Sequence, residues 1–527
     1  MKLIRLRRRI ASLILTGVMI SQAGIGSADA ISTQHWASGY INELMKIEKL
    51  RDDLNKSGIP GNPDKPVSKK EFIALLTALI NKGNVYNAGI GDLHKANSEK
   101  YITREEAVAI AGQLCRLESH NEVKFPDKDN ISQDAYTYIA AFSEQGIISG
   151  YTDGRFIPRN NLTGAQAAVI TDKLIQKGFI AESNVSDFAG GAAGFKDSTA
   201  LQAGFLRPVG LCDDGNGGII VVDSYNSLIR RISDQKVETV AGKLPEALDN
   251  YKIPIGGYRN GEEKQALFNK PQYCTVNAAG DLIVSDTENN SIRLVSDNNV
   301  TSLNSGTAAG YQDGKLVSAL FNKPSDIVAD KSGNVYIADT LNNCIRYIDI
   351  KNGEVSTLAG KPAPGLIDGP AETALFNQPV GLAIDKNGVL YVSDSGNQRI
   401  RKIEKGIVST LAGSGDNLLE ETNYIEGGYC DGETDKAKFN FPGGIDVNED
   451  GIVFVADTGN HRIRAITKTK VITIAGNGEA AYVSGMARAS SFNEPSDVLV
   501  SGSRLFISDS FNSRIRLLDI DTQLLKD

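Results

Sequence analysis

Apolar positions along this chain follow two different rhythms. In VSKKEFIALLTALI (67–80), ITREEAVAIAGQLC (102–115) and LTGAQAAVITDKLI (162–175) they recur every three or four residues, which predicts amphipathic helices. Each stretch opens with Ser68, Thr103 or Thr163, followed three residues later by Glu71, Glu106 or Gln166, the pattern of a reciprocal helix cap. HWASGYINELMKI (35–47) and 134–158 predict helices preceding them. From 184 onward the rhythm changes. Apolar runs shorten to segments such as GLAID (381–385), VLYVSD (389–394), RIRKIE (399–404) and IVSTLAG (407–413), with Gly-bearing turns between them. That predicts four short β-strands per unit.

The unit is written six times. Asp223, Asp286, Asp339, Asp394, Asp457 and Asp509 are each followed by Asn three residues on, Ile six on and Arg seven on. A Phe-x-x-Pro precedes each, from Phe205/Pro208 to Phe492/Pro495. A catalytic constellation occurs once per domain, whereas a unit repeated six times is a building block. The Asp and Asn suit the turn backbone, and the Arg suits a carboxylate between blades. His461 is not repeated; Ser227, Asn290, Asn343, Gln398 and Ser513 hold its slot elsewhere. Four antiparallel strands in each of six repeats predict a β-propeller. The recurring F-N-x-P, D-x-x-N-x-x-I-R and V-S-T-L-A-G order resembles the NHL repeat family over about 184–527. The sixth copy lacks its last strand, and NVSDFAG (184–190) stands unused upstream, so the N-terminal strand is expected to complete the last blade and remove an open edge.

The three capped stretches, together with FPD and GIISGYTDGRFIP before the third, resemble S-layer homology (SLH) modules. The expected organisation is a signal peptide over 1–30, modules at 31–83, 84–118 and 119–180, and the propeller at 184–527. The resemblance implies that the helix starts engage secondary cell-wall polysaccharide through Ser68 and Lys69 in the first module and Thr103 and Arg104 in the second. A helix N-terminus beside a basic side chain suits an anionic sugar substituent. The third module has Gly164 and Ala165 there and no basic residue. Trp36, the only Trp, either packs in the core or stacks on sugar.

Composition narrows the function classes. A net charge of −8 disfavours nucleic acid as a partner. Lys2, Arg5, Arg7, Arg8 and Arg9, the short apolar IASLILTGVMI and ADA at 28–30 read as an export signal, leaving no expected membrane span after cleavage. Five scattered Cys without a C-x-x-C read as separate thiols, and no metal or cofactor is expected. The two resemblances together imply a bacterial surface protein, held noncovalently to the wall, whose propeller presents a recognition face to a protein or glycan. The rival is a propeller enzyme, because propellers resembling this one include lactonases and lyases.

Two kinds of position are candidates for the propeller's own site. Two residues after each Phe-x-x-Pro lie channel candidates, among them Tyr273, Asp326 and Asp497; the last two belong to opposite blades and could face each other around a cation or solvent. Two links between blades are long, and their inserts carry Tyr251 and Tyr424. Both inserts belong at the same end as the Asp-x-x-Asn turns and are expected to face each other across the channel mouth.

Overall fold

A computed structural model describes residues 35, 37, 40, 41, 44, 62–78, 100–115, 117–119, 121–176, 184–419, 422–520 and 525. Four helices have their bounds among the described residues of the N-terminal part: α1 (Lys69–Ala78), α2 (Arg104–Cys115), α3 (Gln133–Glu144) and α4 (Gly164–Gln176). The three capped stretches come together. Short bridges link Pro66 to Thr163, Ser68 to Tyr101 and Thr103 to Asn161, so the starts of α1, α2 and α4 surround one another. Each start carries the expected reciprocal cap. The Ser68 amide donates to Glu71 at 2.6 Å and the Glu71 amide to Ser68 Oγ at 3.2 Å. Thr103 with Glu106 and Thr163 with Gln166 repeat the arrangement. One apolar cluster, including Phe72, Leu76, Val108, Phe142, Leu162 and Leu174, ties the helices together.

The remainder is a six-bladed propeller whose blades are five-stranded antiparallel sheets. Blade four shows the plan. From the centre outward run Pro379–Ile384, Leu390–Asp394, Arg399–Glu404 and Ile407–Ala412, then a two-residue outer strand, Gly369–Pro370. That fifth strand comes from the link preceding the blade and was not anticipated; two residues are too few to show an alternating pattern. The second strands read as nearly continuous apolar runs because both faces of each blade are covered. In blade three, Ile337 points into the seam with blade two and Ala338 into the seam with blade four. One apolar cluster fills each of the six seams, and the Phe of every Phe-x-x-Pro is fully buried.

Closure follows the expected route. Asn184–Ala189 pairs antiparallel with Arg514–Asp519 on one side and with Gly485–Met486 on the other, completing blade six. The first and last parts of the propeller sequence are thereby woven into one sheet, with no open edge at the junction.

The repeated Asp, Asn and Arg form a buried lattice inside each blade. Asp394 Oδ1 accepts the Asn377 amide at 2.7 Å, while Oδ2 accepts Asn397 Nδ2 at 2.8 Å and Arg401 Nη1 at 2.6 Å. Arg401, with no exposure, also donates to Leu375 O, Ile367 O and Asp368. Burial lifts the Asp394 carboxyl to about 6, against the pull of Arg401. The Arg was expected to pair between blades; it pairs within one. The tight turn returns the chain antiparallel, so Arg401 lies diagonally across from Asp394 on the neighbouring strand of the same blade.

Contacts between blades come from two other positions. The hydroxyl one residue after the Asp reaches the Pro carbonyl of the next blade: Thr287 to Pro324 at 2.7 Å, Thr340 to Pro379 at 2.8 Å, Thr458 to Pro495 at 2.7 Å, and Ser510 to Pro208. Four residues after the Asp, the chain is left-handed, with φ of 51° to 55°. The side chain there accepts the amide just before the next blade's Pro. Ser227 accepts from Lys270, Asn290 from Lys323, Asn343 from Gln378, Gln398 from Phe441 and His461 from Glu494.

Candidate functional site

Arg104 is placed by the start of α2, and residues 149–157 close over it. Its Nε donates to Phe156 O at 2.8 Å and Nη2 to Ser149 O at 3.4 Å. The guanidinium lies between the rings of Tyr151 and Phe156, 4.7 and 4.8 Å from their centroids. Asp127, from the FPD motif, fixes that loop by accepting the amides of Phe156 and Ile157. Arg104 is 8% exposed, and burial holds its pKa below the ordinary value. The side chain therefore joins the start of α2 to the 149–157 loop and also backs the exposed ring of Tyr151, which takes a hydrogen bond from Gln166 at 3.1 Å. Lys69, at the start of α1, is half-buried, and its amide donates to Lys100 O. Ser68 and Thr103 are occupied in their caps. Trp36 lies outside the described residues.

At the centre of the propeller the inner strands approach closely. A Cβ on Gly210 would stand 2.7 Å from Tyr273 Cα, and one on Gly444 would stand 2.7 Å from Asp497 Cα, so only Gly fits. Tyr273, Asp326 and Asp497 were expected to be accessible. They are only 3%, 5% and 4% exposed. The Tyr273 hydroxyl crosses blade one to donate to Ser496 O at 3.2 Å. Asp326 accepts the amides of Ile327 and Leu382, the second from blade four. Asp497 accepts those of Val498 and Leu211, the second from blade one. Asp446, which the repeat comparison missed, does the same for Val447 and Val500. It sits two positions further along its strand, so a search at a fixed distance from Pro passes over it. Burial raises Asp326 to about 8 and Asp446 to about 6, and holds Asp497 well above the usual carboxylate range with help from Asp326. These carboxylates are inter-blade ties. Among the described residues, no group of three or more His, Cys, Asp or Glu is arranged to hold a metal ion.

The two inserts share the end carrying the Asp-x-x-Asn turns, but they differ. Residues 247–255 fold into a hairpin on themselves, with Ile255 donating to Ala247 O and Tyr251 85% exposed. The other insert lies against blade four: Ile425 donates to Gly396 O, Asn377 Nδ2 to Asn423 O at 2.6 Å, and Gln398 Nε2 to Ile425 O. This draws Tyr424 onto Phe441 with ring centroids 5.8 Å apart. A cavity of about 300 Å³ opens there, lined by Asn343, Pro364, Asn377, Gln378, Thr422, Asn423 and Tyr424. It carries amides, hydroxyls and one aromatic ring, and no formal charge. A larger cleft of about 490 Å³ lies at the opposite end between blades six and one, floored by Phe188, Ile219, Ile232, Leu499 and Phe506. Sequence reasoning found Tyr424 but not its companions, because Asn343, Asn377 and Gln378 occupy repeat slots already assigned to architecture.

Two family models agree with this architecture. Residues 124–168 match the S-layer homology domain, and residues 321–346, 376–403 and 439–466 match the NHL repeat. Protein SUPPRESSOR OF QUENCHING 1, chloroplastic, of Arabidopsis thaliana is 30% identical over 50% of this chain and 26% of its own length. Human NHL repeat-containing protein 2 is 27% identical over 53% of this chain and 42% of its own. The chain thus spans less than half of either relative. Among solved structures, an auxiliary nutrient binding protein of Bacteroides thetaiotaomicron aligns with a TM-score of 0.48 at 16% identity, over 70% of this chain and 81% of that one. Virginiamycin B lyase of Staphylococcus aureus aligns at 0.39 and 13%, over 64% and 100%. No helix among the described residues is long and apolar enough to cross a membrane. The two family models and the six woven blades together show a chain with an S-layer homology domain at 124–168 and a six-bladed β-propeller that carries NHL repeats.

Proposed function

We propose that this protein is exported, is held to a bacterial wall through its helical modules, which bind secondary cell-wall polysaccharide, and uses the propeller to bind a neutral glycan. The observation carrying the second part is the cavity beside Tyr424. It has a volume suited to one or two sugar rings, and its Gln378 and Asn423 side-chain amides and Tyr424 hydroxyl make no hydrogen bond among the described residues. Uncharged donors and acceptors beside an aromatic ring match a pyranose, which offers hydroxyls at its rim and C–H groups on its face.

The test uses the full chain in two assays. Sedimentation with peptidoglycan sacculi should require their polysaccharide, and Arg104→Lys with Lys69→Ala should weaken it. Sedimentation that ignores removal of the polysaccharide would overturn the anchor. On an array of neutral oligosaccharides, binding should fall at least tenfold in Tyr424→Ala and Gln378→Ala, with wall attachment unchanged. Equal glycan binding by wild type and both variants would move the site elsewhere.

A further inference from the structure

Cys212 and Cys274 are both free thiols, and they meet across the seam between blades one and two. They lie 62 residues apart in sequence, yet their sulfurs are 2.9 Å apart, within hydrogen-bond distance of each other. Both sit on innermost strands, Leu211–Asp213 of blade one and Cys274–Val276 of blade two, and are 9% and 4% exposed. The backbones beside them are close enough to be bridged: the Gly210 amide donates to Gln272 O at 2.8 Å. They share one apolar cluster with Val222, Phe268 and Val284.

Their placement is specific to this seam. Cys212 is four residues after Pro208 and Cys274 three after Pro271. The same two slots at the other seams hold Thr275 and Ile327, Val328 and Leu382, Ala383 and Ile445, Asp446 and Val498, and Leu499 and Leu211. Only here does sulfur occupy both. The remaining cysteines have no such neighbour: Cys115 and Cys344 are buried elsewhere and Cys430 is exposed.

We infer that Cys212 and Cys274 are an oxidation site, joined as a disulfide that staples blade one to blade two at the centre of the ring. The oxidant is an external disulfide, carried by a small thiol or by an oxidoreductase. One cysteine thiolate attacks it, releasing the first external thiolate and leaving a mixed disulfide. The second cysteine thiolate then displaces the other external sulfur. Two Cys thiols lose two protons and two electrons, and one disulfide becomes two thiols. Exchange must precede closure of the seam, since burial in the folded protein pushes the Cys274 thiol far above its ordinary pKa and leaves it protonated. Once formed, the bond is shielded from reductant for the same reason.

The full chain, unfolded and reduced, would be refolded in a mixture of oxidised and reduced glutathione. It would then be denatured without reductant, alkylated, digested and weighed, an experiment independent of wall attachment. The peptides holding Cys212 and Cys274 should be recovered joined, unalkylated and two hydrogens lighter than their sum, while Cys115, Cys344 and Cys430 are alkylated. Alkylation of Cys212 and Cys274 as complete as that of Cys344 overturns the inference. As a second reading, dithiothreitol present during unfolding should lower the melting temperature of the oxidised wild type and leave that of Cys212→Ser/Cys274→Ser unchanged. An equal effect on both would also overturn it.

Discussion

Asp187 Oδ1 lies 3.0 Å from Arg516 Nε, joining the first strand of the propeller to the last. It is a charge contact more than an aligned hydrogen bond, since neither atom meets hydrogen-bond geometry with any partner. In blade four the equivalent carboxylate is Asp368 of the link, which also takes the Thr410 amide at 2.9 Å. In blade six these positions are exchanged: Ser484 stands in the link and Asp187 on the closing strand. The one strand that arrives from the other end of the sequence thus carries the charge its new neighbour needs.

Asp187→Thr alone should destabilise the propeller by about 1–3 kcal/mol, because the buried Arg516 loses a partner. Adding Ser484→Asp restores the arrangement seen in blade four and should recover most of the loss. Urea unfolding of both variants is the check, and no recovery in the double variant would refute the exchange.

Arg401→Ala should cost about 3–5 kcal/mol, since it leaves the buried Asp394 without its cation. Arg401→Lys should recover little of it. A single ammonium cannot reach Asp394, Leu375 O, Ile367 O and Asp368 together as the forked guanidinium does. Denaturant midpoints of the two variants will show whether shape or charge matters at this position.

His461→Ala should cost about 1 kcal/mol by leaving the Glu494 amide unpaired. His461→Asn should be close to neutral, because Asn290 and Asn343 make the same bond at 2.9 Å in other blades. Similar melting curves for wild type and His461→Ala would mean that the contact contributes nothing.

The propeller should lose stability as pH rises from about 4 to about 8. Asp326 has an ordinary pKa of 3.8 when unfolded and about 8 when folded, so in this window the folded state holds a proton that the unfolded chain has released. That contribution is complete below the unfolded value and is lost as pH passes the folded one. Asp326→Asn cannot titrate, and its melting temperature should vary less over the same range. An unchanged pH profile would place the titration on other groups.

The blades were legible in the sequence because each strand's burial and each turn's backbone requirement recur six times. The Asp394, Asn397 and Arg401 set is visible as a pattern because only those side chains satisfy that turn. The slot of His461 was not legible. Its task needs one acceptor atom at one place, and a hydroxyl, an amide or an imidazole can each supply it, so the letters vary while the bond persists. The Tyr424 cavity stayed hidden for the opposite reason: three of its side chains stand at repeat positions, and only the fold of the neighbouring insert turns them into a lining. Burial of Asp326 and Asp497 was unreadable too, because it depends on how closely Gly210, Gly381 and Gly444 let the inner strands approach.

The closing strand has a mechanical consequence. Asn184–Ala189 lies between two neighbours within blade six, and the chain from the helical modules enters at its first residue. Were the protein held through those modules, as proposed, tension applied along this strand would act at right angles to the hydrogen bonds on both sides. Those bonds are loaded together in shear and cannot be peeled one at a time. If the proposed wall attachment holds, a pull at this point is met by a whole blade, so the noncovalent attachment yields before the ring opens.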